Sequence, residues 1–227
     1  MTQAEAGFFA GLREAAGDDW RAYVEHPFVQ GLGDGTLPEA AFRHYLVQDY
    51  LFLIQFARAY GLAAYKADTL AEIRAASDGL KALVEVEMDL HRAYCADWGI
   101  VEADLEAVEA DGATLAYTAY VLERGLAGDL LDLRVALAPC VIGYGEIGAR
   151  LAADPAARAE GNLYAPWIEM YAGEDYQTFM RAEIEALDAL AARRGGSARF
   201  AQLATTFRTA TRLEAAFWQA GLDVAAT

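Results

Sequence analysis

Several things are scarce in this sequence, and each scarcity excludes a class of protein. Two cysteines, Cys95 and Cys140, occur in 227 residues, too few for a disulfide framework. Lysine and arginine number 18 against 34 aspartates and glutamates, a formal net charge of −16. So acidic a surface repels phosphate backbones and anionic headgroups, which speaks against nucleic-acid and membrane partners. Every apolar run is broken by Asp, Glu, Arg or Lys, so none reads as a bilayer span. Sustained alternation of apolar and polar residues is missing, and Ala, Leu, Glu and Arg outnumber the β-branched residues, so strands are not expected. The opening Met1-Thr2-Gln3-Ala4-Glu5 is polar and carries an acid where a secretory leader has bases. The expected compartment is the cytoplasm.

What is present is an apolar, helical pattern. Hydrophobic residues make up 56% and charged residues 23%, a globular balance with a sizeable core. The periodicity predicts an all-α chain, folded as a compact helical bundle in one domain over residues 1–227. The first helix is expected from about Ala4 to Val24, followed by a loop from His26-Pro27-Phe28 through Gly31-Leu32-Gly33-Asp34-Gly35. Thr36 to Glu39 reads as a capping box opening a very aromatic helix that runs to about Ala67. A third helix spans about Leu70 to Trp98, and the acidic stretch Glu102 to Asp111 reads as a short helix or loop. Further helices cover about Ala113 to Leu126 and Leu130 to Ala152. In the latter Pro139 is expected to introduce a kink. A short segment from Tyr164 to Tyr171 precedes a helix over about Asp175 to Ala192, and Ser197 reads as the cap of the last helix, to about Ala220.

Three residues stand out against this background. Cys140, in Ala138-Pro139-Cys140-Val141-Ile142-Gly143-Tyr144, lies on an apolar helix, where a cysteine is more often inert filler than nucleophile. Pro139 opens room beside the sulfur, and Tyr144 lies one turn on, where its hydroxyl can steady a thiolate or pass a proton. Cys95 lacks such neighbours and reads as structural. Asp49 lies on the most apolar helix, where a buried charge needs partners. It is either a site residue or a carboxylate capping a nearby tyrosine or arginine. Glu214 has Phe217 and Trp218 one turn on, a surrounding that raises a carboxyl pKa and suits it to acid work. Arg212 could instead pair with it on an open face. Glu87 and His91, four residues apart, can ligate metal in a bundle. The other histidines, His26 and His44, lack a matching carboxylate, so no metal is expected.

In order and spacing, these stretches resemble the thiaminase II (TenA) family over nearly the whole chain. They are His26 to Pro38, Gln48-Asp49-Tyr50, Glu87 with His91, Tyr117-Thr118, Pro139-Cys140 with Tyr144 and Glu146, Trp167 with Tyr171, and Glu214 with Phe217-Trp218. The resemblance implies a heme-oxygenase-like fold, a homotetramer, and salvage hydrolysis of thiamine or aminomethyl-aminopyrimidine to hydroxymethylpyrimidine, with no cofactor. It implies Cys140 as nucleophile and Glu214 as acid/base at one ring nitrogen. Asp49 becomes the carboxylate that binds the pyrimidine amino group and adjacent ring nitrogen. Tyr117, Tyr144 and Tyr171 line the pocket, and Phe52 stands where some members have tyrosine. Two rival readings remain: a non-catalytic pyrimidine-binding or regulatory protein, and a heme or di-iron oxidase on the same fold.

Overall fold

The computed structural model describes residues 7–159 and 161–226, and these residues form helices with no strand. The chain begins with α1 (Phe8–Ala16) and α2 (Asp18–Val24), where one helix was expected; Ala4 lies outside the described residues. The break is at Gly17, whose φ of 48° with ψ of −112° is a conformation that L side chains rarely adopt. The stretch after His26 is not a loop but α3 (Pro27–Asp34). Pro27 suits a first helical position because its missing N–H would be unsatisfied there anyway, and His26 Nδ1 accepts from Phe28 N–H at 3.3 Å.

The long aromatic helix is α4 (Glu39–Lys66), capped by Pro38 with no side-chain hydrogen bond. The Thr36 capping box does not form. Asp34, two residues back, takes both the Thr36 N–H at 3.0 Å and its hydroxyl at 2.6 Å, a local turn that competes with capping. The capping box forms instead at Thr69 and Glu72, opening α5 (Leu70–Ala82). A π-helical turn, Leu83–Glu87, then leads into α6 (Met88–Asp97). The acidic stretch supplies α7 (Glu102–Ala107), and Asp111 caps α8 (Gly112–Ala127). α9 (Leu130–Ala152) starts at a box between Asp129 and Asp132 and continues through Pro139. Then come α10 (Ala165–Ala172), α11 (Glu174–Arg193) and α12 (Phe200–Ala225). Arg199, not Ser197, is the N-cap of α12.

The core lies where α4, α9 and α12 meet. α4 buries a broad face that carries Phe42, Tyr45, Asp49, Phe52 and Phe56. Large rings pack there: Trp218 stacks on Phe28 at 4.8 Å and tilts against Tyr45 at 5.0 Å and Tyr144 at 5.3 Å. Fully burying one such apolar side chain stabilises the fold by roughly 1.5–3 kcal/mol. Small residues on α9 let neighbours close in. A Cβ on Gly148 would lie 2.6 Å from the Tyr171 backbone carbon, and one on Gly143 would meet the Tyr23 ring. Glycine at these points sets how near α10 and α2 approach the helix that carries Cys140. No helix among the described residues is long and apolar enough to cross a membrane.

Candidate active site

Residues far apart in the chain converge around Cys140. Glu214, on α12, is 1% exposed and accepts a hydrogen bond from the Tyr117 hydroxyl of α8 at 2.9 Å. The same carboxyl group lies near enough to the Cys140 thiol for each to shift the other's titration. Arg212 is directed elsewhere, to Asp19 at 3.0 Å. Phe52 forms an adjoining wall, its ring 5.0 Å from Tyr117 and 5.7 Å from Phe217. Tyr23 donates to the Pro139 carbonyl at 3.3 Å and Tyr176 to the Val141 carbonyl at 3.1 Å. Two side chains thus tie down the backbone on either side of the thiol.

A second polar group is built around Asp49. Its Oδ2 accepts from the Tyr45 hydroxyl at 3.1 Å and faces His91 Nε2 at 2.6 Å. Trp167 Nε1–H donates to the Tyr45 oxygen at 3.1 Å. The Tyr144 ring packs against Trp167, Tyr171 and Trp218. His91 Nδ1 lies 2.7 Å from the Glu87 carbonyl. A carbonyl has no proton to give, so Nδ1 carries one. Burial disfavours the charged ring, but Asp49 outweighs it and raises the His91 pKa, which favours a second proton on the ring. With both ring nitrogens engaged, His91 is not disposed to bind metal. Among the described residues no group of three or more His, Cys, Asp or Glu side chains could hold a metal ion.

One open cavity of about 480 Å³ reaches Cys140. Phe56, Tyr60 and Tyr176 give it aromatic walls, and Glu87 shares its lining with the thiol. Tyr171, expected to line the ring pocket, donates its hydroxyl to Glu87 Oε1 at 3.2 Å. The electrostatics follow from packing acids together out of water. Burial, and then the Asp49 charge, raise Glu214 to about 8. Burial and Asp49 likewise lift Glu87 to about 7, against the opposing pull of His91 and Tyr171. Burial pushes the Cys140 thiol well above its usual value, with Glu214, Glu87 and Asp49 adding to the effect. The resting sulfur is therefore a thiol, not a free thiolate.

These surroundings can be compared with known proteins. A family model described as TENA/THI-4/PQQC matches residues 14–224. The chain belongs to that family. An aminopyrimidine aminohydrolase of Halalkalibacterium halodurans is 42% identical over 93% of each chain. An uncharacterized protein of Haemophilus influenzae is 41% identical over 91% of this chain and 94% of its own. Among solved structures, a TenA family transcription regulator from Silicibacter sp. TM1040 superposes with a TM-score of 0.90 at 48% identity, covering 98% of this chain and 99% of that one. The fold is the all-α, heme-oxygenase-like bundle of the TenA family.

Of the residues the sequence singled out, Glu214 and Tyr117 are joined by a hydrogen bond near Cys140, with Phe52 against Tyr117, while Asp49 centres the second polar group; of these five, Cys140 is the one that lines the open cavity. Tyr45, one ring among several on the aromatic helix, links Trp167 to Asp49. Tyr23 and Tyr176, at the backbone beside Cys140, were likewise unmarked. No local pattern announces them, because each acts on a residue distant in sequence.

Proposed function

We propose that this protein is an aminopyrimidine aminohydrolase in which Cys140 attacks the ring of an aminomethyl-aminopyrimidine or of thiamine. The observation that carries this reading is Cys140 at an open, aromatic-walled cavity, with the buried Glu214–Tyr117 pair behind it. Displacing a group from the ring's methylene carbon is difficult while the ring stays aromatic. Addition of the sulfur to the ring, with Glu214 passing the thiol proton to a ring nitrogen, removes that obstacle and lets the leaving group depart. Water adds to the exocyclic methylene, the carbon–sulfur bond breaks, and hydroxymethylpyrimidine is released. Asp49, paired with His91 and Tyr45, is the rigid acceptor for the pyrimidine amino group. Phe52, Tyr117 and Tyr144 supply flat surface against the ring, and Tyr171 fixes the wall beside it. Incubating the protein with each substrate should yield hydroxymethylpyrimidine; no product from either would overturn the reading.

The Silicibacter relative, a TenA family transcription regulator by description, points to another role. A net charge of −16 argues against it, since DNA binding rests on basic side chains that release counterions.

A homotetramer is the proposed assembly. Tyr65 is 85% exposed and Leu126 70% exposed, and apolar side chains of this size are the kind of surface an interface covers. Charge repulsion is screened within roughly 8 Å at physiological salt. Light scattering coupled to gel filtration should give four times the chain mass, and a clean monomer would refute the assembly.

A further inference from the structure

Glu87 plays no part in the chemistry described so far, yet it borders the same cavity as the thiol. One oxygen is held by Tyr171 at 3.2 Å, and the other has no hydrogen-bond partner among the described residues. The π-helical turn Leu83–Glu87 widens the helix at this point, a distortion frequent where a helix must aim a side chain into a site. The backbone carbonyl of Glu87 meanwhile binds His91, which locks the turn to the Asp49 group. The rest of the charged lining is also acidic, Glu169, Glu174 and Asp175, with no Lys, Arg or His among the lining residues. Such a chamber suits a leaving group that is a base, and repels an anionic one.

We propose that Glu87 is the acid and base for the leaving amine, and so sets a preference for substrates that expel ammonia. The step rests on the function proposed above. Once the Cys140 sulfur has added to the ring, the exocyclic carbon–nitrogen bond breaks with its electron pair going to nitrogen. The Glu87 carboxyl group gives its proton to that nitrogen, ammonia departs, and Glu87 is left as carboxylate. Water then adds to the methylene carbon and its proton returns to Glu87. The ring electrons expel the sulfur, so that one water is consumed and one ammonia released. The groups facing Glu87 are Asp49, His91, Tyr60, Tyr171, Tyr176 and Cys140. With its pKa lifted to about 7, Glu87 can both give and take a proton near neutrality.

Thiamine provides the internal control, because its quaternary thiazolium nitrogen leaves as a neutral thiazole and needs no proton. Glu87→Gln keeps the shape and the Tyr171 hydrogen bond but cannot transfer a proton. It should lower kcat/KM for the aminomethyl substrate at least about tenfold more than for thiamine. Taking the ratio within one preparation removes any effect of partial folding. Glu87→Asp, which keeps the carboxyl group, should restore part of the loss. An unchanged ratio in Glu87→Gln, with wild-type turnover intact, overturns this role alone. Absence of turnover in the wild type overturns the proposed function and this role with it.

Discussion

Replacing Cys140 by serine should cut turnover by at least about a hundredfold while leaving thermal stability close to that of the wild type. The two side chains are nearly isosteric, so the helix and its neighbours have little to adjust. The chemical difference is large, because a hydroxyl is far harder to ionise than a thiol. The surroundings of Cys140 sharpen this. Burial, then Glu214, Glu87 and Asp49, hold its pKa well above the usual thiol value. The enzyme therefore cannot store a thiolate and has to form one during the reaction. Glu214, with a pKa of about 8, is the neighbouring base that can receive the proton and hand it to the ring. The reactive pair holds one proton between sulfur and carboxyl. kcat/KM should accordingly rise as pH climbs through about 8, where Glu214 releases the proton it carries at rest. Alkylation of Cys140 by iodoacetamide, followed by mass spectrometry, should be slow at pH 7 and accelerate only on the alkaline side. Near-normal turnover of Cys140→Ser would sink the covalent mechanism. Rapid alkylation at pH 7 would sink the shared-proton account while leaving the nucleophile in place.

Much of this site was legible in the sequence because it breaks the pattern that builds the fold. Asp49 and Glu214 are carboxylates on strongly apolar helices, and Cys140 follows a proline inside one. Each conflicts with its own stretch of chain, and such conflicts gather at sites. The helices were legible for the same local reason, since a 3.6-residue period can be counted. Their ends were less so. Thr36 has everything a capping box needs, but Asp34 lies closer to it, and the competition is decided by turn geometry. Gly17 divides the first helix through a backbone conformation that no periodicity reveals. The partners of the site residues were the least legible. His91 meets Asp49 across 42 positions, and Tyr117 meets Glu214 across 97. These pairings follow from how helices pack, which is set by the glycines of α9 and the rings of α4 rather than by any motif. The π-helical turn at Leu83–Glu87 is likewise a tertiary outcome, and with it goes the placement of Glu87.

Replacing His91 by alanine should destabilise the protein by about 3–5 kcal/mol, the usual cost of removing one partner from a buried ion pair. The side chains of His91 and Asp49 are 0% and 4% exposed, so water cannot take the place of the lost ring. The deficit is best read by chemical denaturation at pH 6. The His91 pKa is raised in the folded protein, so its contribution is complete below the unfolded value of about 6.5 and is lost as pH rises through the folded one. Glu87 and Glu214 act in the same sense. Their folded values of about 7 and about 8 exceed that of an unfolded glutamate, so the native state keeps protons that the unfolded chain releases. The wild type should therefore be more stable on the acidic side of neutrality and lose stability towards pH 8. A double-mutant cycle separates the pairing from the loss of ring volume. Asp49→Ala removes the buried charge, so His91→Ala should cost markedly less in that background, with a coupling of about 1–3 kcal/mol. A loss below about 1 kcal/mol for His91→Ala in the wild-type background, or strict additivity in the cycle, would mean that the pair does not hold Asp49. The carboxylate proposed to anchor the pyrimidine would then have to be positioned by Tyr45 alone.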